Sequence, residues 1–272
     1  MPDARAPAPR LDAAEAVRFR GGGFLPRTSR LAALAAFALL LGAWQAAVAL
    51  RWISPVFLPS PVEIGRALWA LLASGELWRH LSVSLVRIGL GWLLGMSAGL
   101  AVGVAMGLSS LARSVGLPMV SALFPIPKIA LLPLLILWLG IGETSKVVTI
   151  ALGVFFPTVI AAYSGIDNVP RTLIRMAQSF DVPFRDIVRK VALPGALPSI
   201  LSGIRISASI ALLLLVSAEM IGAESGIGAF VLQAGNLMQT DQLMAGVAVL
   251  SGLGLVIGTT LSWAERRLLS WR

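Results

Sequence analysis

Few residues in this chain are equipped for chemistry. The 272 residues include no cysteine and one histidine, His80. That excludes a disulfide framework, a cysteine nucleophile, a thiolate zinc site, a ligated iron–sulfur cluster and any two-histidine metal motif. His80 falls at the start of an apolar stretch and reads as a solvated or interfacial histidine. No glycine is followed directly by lysine, so the G-x-x-x-x-G-K-[ST] phosphate loop cannot occur and any ATP must be bound by another polypeptide.

The remaining candidates are charges set inside long apolar runs: Arg87, Lys128 and Glu219. A charge at depth in a bilayer is costly unless paired or hydrated, so each is a candidate for a solute pathway. Arg87 or Lys128 can attract an anion. The competing reading is a structural pair of Glu219 with Arg87 or Lys128, or snorkelling toward an interface. A proton-coupled carrier would want a relay of buried carboxylates, and only Glu219 is available. An intramembrane enzyme would need a serine, such as Ser207, Ser209 or Ser217, paired with Lys128.

These residues are positioned by elements whose solvent is lipid. Hydrophobic residues make up 57% and charged residues 13% of the sequence, against about a quarter charged in a soluble domain. Mean hydropathy is +0.86. Residues 31–50 carry no charge, and twenty helical residues cover about 30 Å, the thickness of a hydrocarbon core. Ala47-Val48-Ala49 resembles a signal cleavage site, but the run is long for a signal and more apolar segments follow. Further spans are expected near 81–108, 115–140, 145–166, 201–222 and 243–264, giving an all-α, polytopic protein of six transmembrane helices.

Residues 1–30 form a polar segment with six arginines. Residues 51–79 form an outer segment with a short helix capped by Ser60 and Pro61 and ending near Ser74. The third span holds Pro118, Pro125, Pro127 and Pro133, so it cannot be one straight helix. Residues 223–242 are glycine-containing, less hydrophobic, and suited to dipping back toward the membrane. With the N-terminus inside, sixteen Lys and Arg fall in inner segments and four (Arg51, Arg66, Arg79 and Lys146) in outer ones. That bias sets both termini in the cytoplasm. It also accounts for the net charge of +9 without nucleic acid.

Span two carries Gly91, Gly95, Gly99, Gly103 and Gly107 at a constant spacing of four. One face is thereby open to close backbone approach. Packing inside the bundle is the expected use, and a dimer seam the alternative.

Residues 168–194 read as two short cytoplasmic helices. Asn168 is placed to cap the first, from Pro170 to Phe180, and Asp181 to cap the second, after Pro183. Pro194 and Pro198 are expected to break the chain before span five. Leu173, Ile174, Met176, Ala177, Phe180, Phe184, Ile187 and Val188 offer an apolar face ringed by five cations. Such a face either docks a soluble partner through Met and aromatic anchors or folds back on its own bundle.

This segment resembles the cytoplasmic signature of ABC importer permeases. That signature is Glu-Ala-Ala, then Gly four residues after the second Ala, then ten residues on Ile-x-Leu-Pro. Ala177 matches the second Ala, and Val191-Ala192-Leu193-Pro194 matches the end. Arg175 stands where Glu is usual, Met176 where Ala is, and Asp181 where Gly is. Phe124-Pro125-Ile126-Pro127-Lys128-Ile129-Ala130-Leu131-Leu132-Pro133 resembles the nitrate, sulfonate, taurine and bicarbonate branch. So do Trp138-Leu139-Gly140-Ile141-Gly142-Glu143-Thr144-Ser145-Lys146, Ala151-Leu152-Gly153-Val154-Phe155-Phe156-Pro157 and Gln239-Thr240-Asp241-Gln242.

The resemblance covers about residues 60–272. It implies a type I importer permease fold in the inner membrane, acting as a homodimer with two ABC ATPases and a periplasmic substrate-binding protein. No cofactor is then expected in this chain, ATP and Mg belonging to the ATPases. Arg175, Met176, Ala177, Phe180, Asp181, Phe184, Leu193 and Pro194 would contact the ATPase. Arg87, Lys128 and Glu219 would border the pathway of a small oxyanion.

Overall fold

The structure, a computed structural model, describes residues 30–270. The polar segment expected at 1–30 therefore lies outside the described residues, apart from Arg30. Every regular element among the described residues is helical. In chain order these are α1 (Arg30–Ala49), α2 (Pro61–Ala73), α3 (Glu76–Leu108) and α4 (Ser110–Leu123). A 3-10 turn (Lys128–Leu131) leads to α5 (Leu132–Leu139), then α6 (Glu143–Asp167), α7 (Arg171–Ser179) and α8 (Phe184–Ile187). A π turn (Val188–Ala192) leads to α9 (Leu193–Met220), followed by α10 (Ile227–Asn236) and α11 (Thr240–Leu268).

Among the described residues, five helices are long and apolar enough to cross a membrane, and a sixth span results if the pair α4 and 128–139, bent by 86°, is taken as one. The bend follows from sequence. Pro125 and Pro127 interrupt the ladder of amides after α4, whereas Pro118 is absorbed inside α4 and Pro133 sits in the first turn of α5, where no amide is needed. Helix α10 has ten residues and so covers about 15 Å, half a bilayer core.

The glycine ladder is used inside the chain. A Cβ on Gly91 would stand 2.7 Å from Ile150 Cβ; on Gly99, 2.7 Å from the Phe155 carbonyl; on Gly103, 2.6 Å from Ala162 Cβ. On Gly95 it would run into the Ala151 carbonyl. These separations are too short for any side chain, so α6 lies directly on the backbone of α3. Helix α9 approaches α6 in the same manner, with Gly203 against Ala161 and Gly165 against the Ala196 carbonyl. Ile88, Ile150, Val154, Ala211 and Leu215 fill the space where the three helices meet.

Outside this trio, packing thins. Val48 is the one buried residue among the described side chains of α1, and its leucines and Phe37 are exposed. Helix α2 is closed by a capping box: Glu63 N–H donates to Ser60 Oγ at 3.3 Å, and Ser60 N–H donates to Glu63 Oε2 at 2.7 Å. The Ser60 amide, then its hydroxyl and the Arg66 charge, hold the Glu63 carboxyl below its ordinary value.

Three local expectations differ. Asn168 closes α6 instead of opening α7, and Pro170 and Pro183 stand at the N-caps of α7 and α8 without a side-chain cap. Asp181 adopts φ +53° in the turn between them. A left-handed backbone there suits glycine best and aspartate tolerably, because a short polar side chain bonds locally. Pro194 and Pro198 do not break the chain. The π turn shifts the hydrogen-bond register so that Pro194 falls in a first turn, and 184–220 runs on as one helix.

Candidate functional site

The glycine face of α3 continues outward as His80, Ser84 and Arg87, at the same spacing of three to four. All three are buried. They meet the end of α9 and the start of α10 in one polar cluster. Glu219 is fully enclosed. Its Oε1 accepts from Arg87 Nη1 at 2.8 Å, its carboxylate accepts from Ser84 Oγ at 2.8 Å, and its Oε2 accepts from Gly228 N–H at 2.8 Å. Ser84 Oγ in turn accepts from Ile227 N–H at 2.9 Å, and the Gly226 amide donates to His80 Nδ1 at 3.1 Å. The first amides of α10 are thus satisfied by side chains of α3 and α9, which lets a helix end sit buried. His80 is therefore an interior residue and not a solvated one. It also stacks at 5.5 Å on Phe230.

Arg87 is 2% exposed and reaches a second carboxylate. Its Nε and Nη2 donate to Glu143 Oε2 and Oε1 at 2.5 and 2.6 Å, and its Nη1 also donates to the Ser225 carbonyl at 2.5 Å. Glu143 entered the sequence reading only within a family-like motif and Ser225 not at all, and nothing local links either to Arg87, 56 and 138 residues away. His80 and Ser84 did carry a signal, because they lie eleven and seven residues before Gly91 and so fall on the same helix face.

Lys128 does not join this cluster. Its Nζ donates to the carbonyls of Leu123, Phe124 and Ile126 at 2.8, 3.0 and 2.6 Å, and stands 4.5 Å from the centre of the Phe156 ring. Those carbonyls lose their helical partners at the proline bend. The ammonium, with three donors, replaces them and sits favourably at the C-terminus of α4. An ammonium donating to three carbonyls has no lone pair to take the proton of a serine nucleophile. Ser207 meanwhile accepts from Trp92 Nε1 and donates to the Ile204 carbonyl, and Ser217 donates to the Leu213 carbonyl. Among the described residues no three His, Asp or Glu side chains gather as metal ligands.

Between α4, α6 and α9 lies an open cavity of about 600 Å³, bordered by Phe124, Pro157, Ser164, Ser199, Ser202 and Ile206. Farther along, α7 and α8 present Leu173, Met176, Phe180 and Phe184 outward, Phe180 being 77% exposed, while Ile187 anchors the pair. Ala177 and Leu193 are half-buried; Arg175, Asp181 and Pro194 are exposed. Arg171, Arg175, Arg185 and Arg189 stand exposed about the same face, and Lys190 pairs with Asp186 at 2.9 Å. Residues 175–184 are thus brought together, with Leu193 and Pro194 further along the helix.

Residues 91–270 match the family model described as the inner membrane component of binding-protein-dependent transport systems. The taurine transport system permease protein TauC of Escherichia coli K12 is 38% identical over 239 residues, covering 86% of this chain and 87% of that protein. The putative aliphatic sulfonates transport permease protein SsuC of Bacillus subtilis 168 is 38% identical over 259 residues, covering 95% of this chain and 93% of that one. The fold is shared with the MetNI methionine ABC transporter in its inward-facing form, at a TM-score of 0.58 and 24% identity, over 68% of this chain and 93% of that chain. On these matches the chain belongs to the inner membrane components of binding-protein-dependent transport systems: it is a multi-pass permease subunit of an ABC importer, and not an enzyme.

Proposed function

We propose that this permease works as a homodimer that imports a small oxyanion of the sulfonate, taurine or nitrate type, with both termini in the cytoplasm. Its family implies separate ATPase and substrate-binding partners. Two relatives named for taurine and aliphatic sulfonates support the sulfonate end of that range. The even number of spans, counting the bent pair as one, supports termini on one side. The Lys and Arg bias supports the cytoplasm as that side.

The observation that carries the mechanism is the exposed aromatic and Met face on α7 and α8, joined without interruption to a membrane-spanning helix. An ATPase seated on Arg175, Met176, Ala177, Phe180, Asp181 and Phe184, and against Leu193 and Pro194, would move α9 as it closes on ATP and Mg. The solute would cross by the cavity between α4, α6 and α9. Lys128 and Glu219, saturated by the chain's own groups, shape that route, while Arg87 keeps one edge on the exposed Glu143. ATP binding shifts the inward and outward states only so far as the ATPase dimer binds one of them better.

The test is purification of the tagged permease with its co-expressed ATPase in mild detergent, with hydrolysis assayed on the eluate. Phe180→Asp and Ala177→Glu should lose the ATPase and leave the permease in the membrane. Full retention with both changes, or a permease that purifies alone, counts against the assignment.

A further inference from the structure

We propose that the outer edge of the Arg87 guanidinium is an exchangeable anion site, held by the Glu143 carboxylate until a solute oxyanion displaces it. The proposal rests on the oxyanion-importer reading above and assigns the contact that would recognise the solute's charged group.

The two carboxylates on Arg87 are held unequally. Glu219 has no exposed side-chain surface and accepts from Ser84 and the Gly228 amide as well as from Arg87. Removing it would strand several buried donors. The Glu143 side chain is 61% exposed, and both of its side-chain hydrogen bonds go to Arg87. Water can replace those bonds on the carboxylate, so its release is far cheaper. Arg87 meanwhile stays fixed by Glu219 and the Ser225 carbonyl.

The backbone permits the exchange. Glu143 is the first residue of α6 and follows Gly140, at φ +85°, Ile141 and Gly142. A Cβ at Gly140 or Gly142 would meet nothing within 4 Å, and Trp138 and Ile141 are exposed. The Glu143 side chain can rotate into this open space while Ser145 Oγ and Lys146 Nζ hold the Gly142 carbonyl in place.

Charge and shape select the replacement. Lys146, one turn into α6, is buried and donates to the Gly142 carbonyl at 3.0 Å. Glu224 also faces Lys146, so turning Glu143 away takes the balance of Arg87 and Lys146 against the carboxylates from one net negative charge to none. The freed Nε and Nη2 donors form the parallel fork that accepts two oxygens of a carboxylate, sulfonate or phosphate. A sulfonate offers any two of its three equivalent oxygens to that fork. A neutral or cationic solute gains nothing there.

The experiment uses the intact permease–ATPase complex in nanodiscs, without ATP or binding protein, titrated calorimetrically with ethanesulfonate and with its neutral isostere ethanesulfonamide. Glu143→Ala vacates the fork and should bind ethanesulfonate at least tenfold more tightly than the wild type, with no gain for the sulfonamide. Glu143→Gln, which keeps the shape and loses the charge, should fall between. Arg87→Lys in the Glu143→Ala background should abolish the gain. Equal ethanesulfonate affinity in wild type, Glu143→Ala and Glu143→Gln overturns the site and leaves Glu143 a brace. An equal gain for the sulfonamide overturns it as well. Sulfonate uptake and ATP hydrolysis by the wild-type complex separate the two failures: active import without a gain at Glu143→Ala sinks only the anion site, whereas absent import with the gain present sinks only the importer assignment.

Discussion

Phe184 and Glu219 lie near opposite ends of one helix, 184–220, that bends through a π turn at 188–192 but never breaks. At 1.5 Å per residue they are separated by about 50 Å. One end is exposed and the other is locked to Arg87 and the α10 amides. A displacement at Phe184 therefore reaches the polar cluster through a single rod. Inserting three glycines between Ala192 and Leu193 should cut this transmission, because glycine weakens a helix by about 1 kcal/mol per residue. The complex should still assemble and hydrolyse ATP, while uptake into proteoliposomes falls to background. Uptake that persists with the insertion would show that the rod is not the transmitting element.

The glycine ladder yields a stability contrast on one helix. Gly95→Ala places a methyl against the Ala151 carbonyl and Val154, while Gly89→Ala enters open space. The first should destabilise by about 1–3 kcal/mol, the usual cost of overpacking. The second should be neutral or stabilise by up to about 1 kcal/mol, the helical advantage of Ala over Gly. Thermal unfolding of the two variants in the same detergent distinguishes them. A similar melting shift for both would mean that α6 does not rest on this face.

Much of this was legible in the sequence. The six apolar runs, the Ser60 cap, the proline bend and the glycine face all follow from local chemistry at fixed periods. The polar cluster was half legible. Arg87 and Glu219 stood out as charges in apolar runs, and Ser84 and His80, seven and eleven residues before Gly91, share the glycine face. Glu143 did not stand out, because an acidic residue at the start of an apolar helix is ordinary and it meets Arg87 only through the packing of α6 on α3. The continuity of α8 into α9 was hidden for a different reason. Proline reads as a breaker, and nothing local reveals that a π turn will shift the register around Pro194.

The two kinds of ion pair in the molecule should respond very differently to truncation. Glu219→Ala leaves the Arg87 Nη1, Ser84 and Gly228 donors short of a partner inside the bundle. Breaking a buried pair from one side costs roughly 3–5 kcal/mol. Arg113 and Asp167, paired at 3.0 Å between α4 and α6, are both substantially exposed. Arg113→Ala should cost no more than about 1 kcal/mol. Melting temperatures of the purified variants read the difference, and raised salt should narrow the wild-type gap to Arg113→Ala only. Equal losses would contradict the enclosure of Glu219.

The absence of native cysteine makes the cavity between α4, α6 and α9 directly testable. Single cysteines can be introduced without removing any. Ser199 and Ser202 border the cavity, whereas Leu39, in the middle of α1, is 75% exposed on a helix whose surroundings are lipid. A thiol reacts with a methanethiosulfonate only as the thiolate, and a thiolate forms only where water reaches. The sulfonatoethyl methanethiosulfonate reagent is anionic and close in size to a small alkyl sulfonate, so it reports on water and on passage of such a solute together. In the ATP-free complex, Ser199→Cys and Ser202→Cys should react at least tenfold faster than Leu39→Cys, even though Leu39 is itself exposed. Trapping the ATPase closed should slow the two cavity positions and leave Leu39→Cys unchanged. Equal, slow rates at all three would put the cavity in lipid and remove it from the solute route.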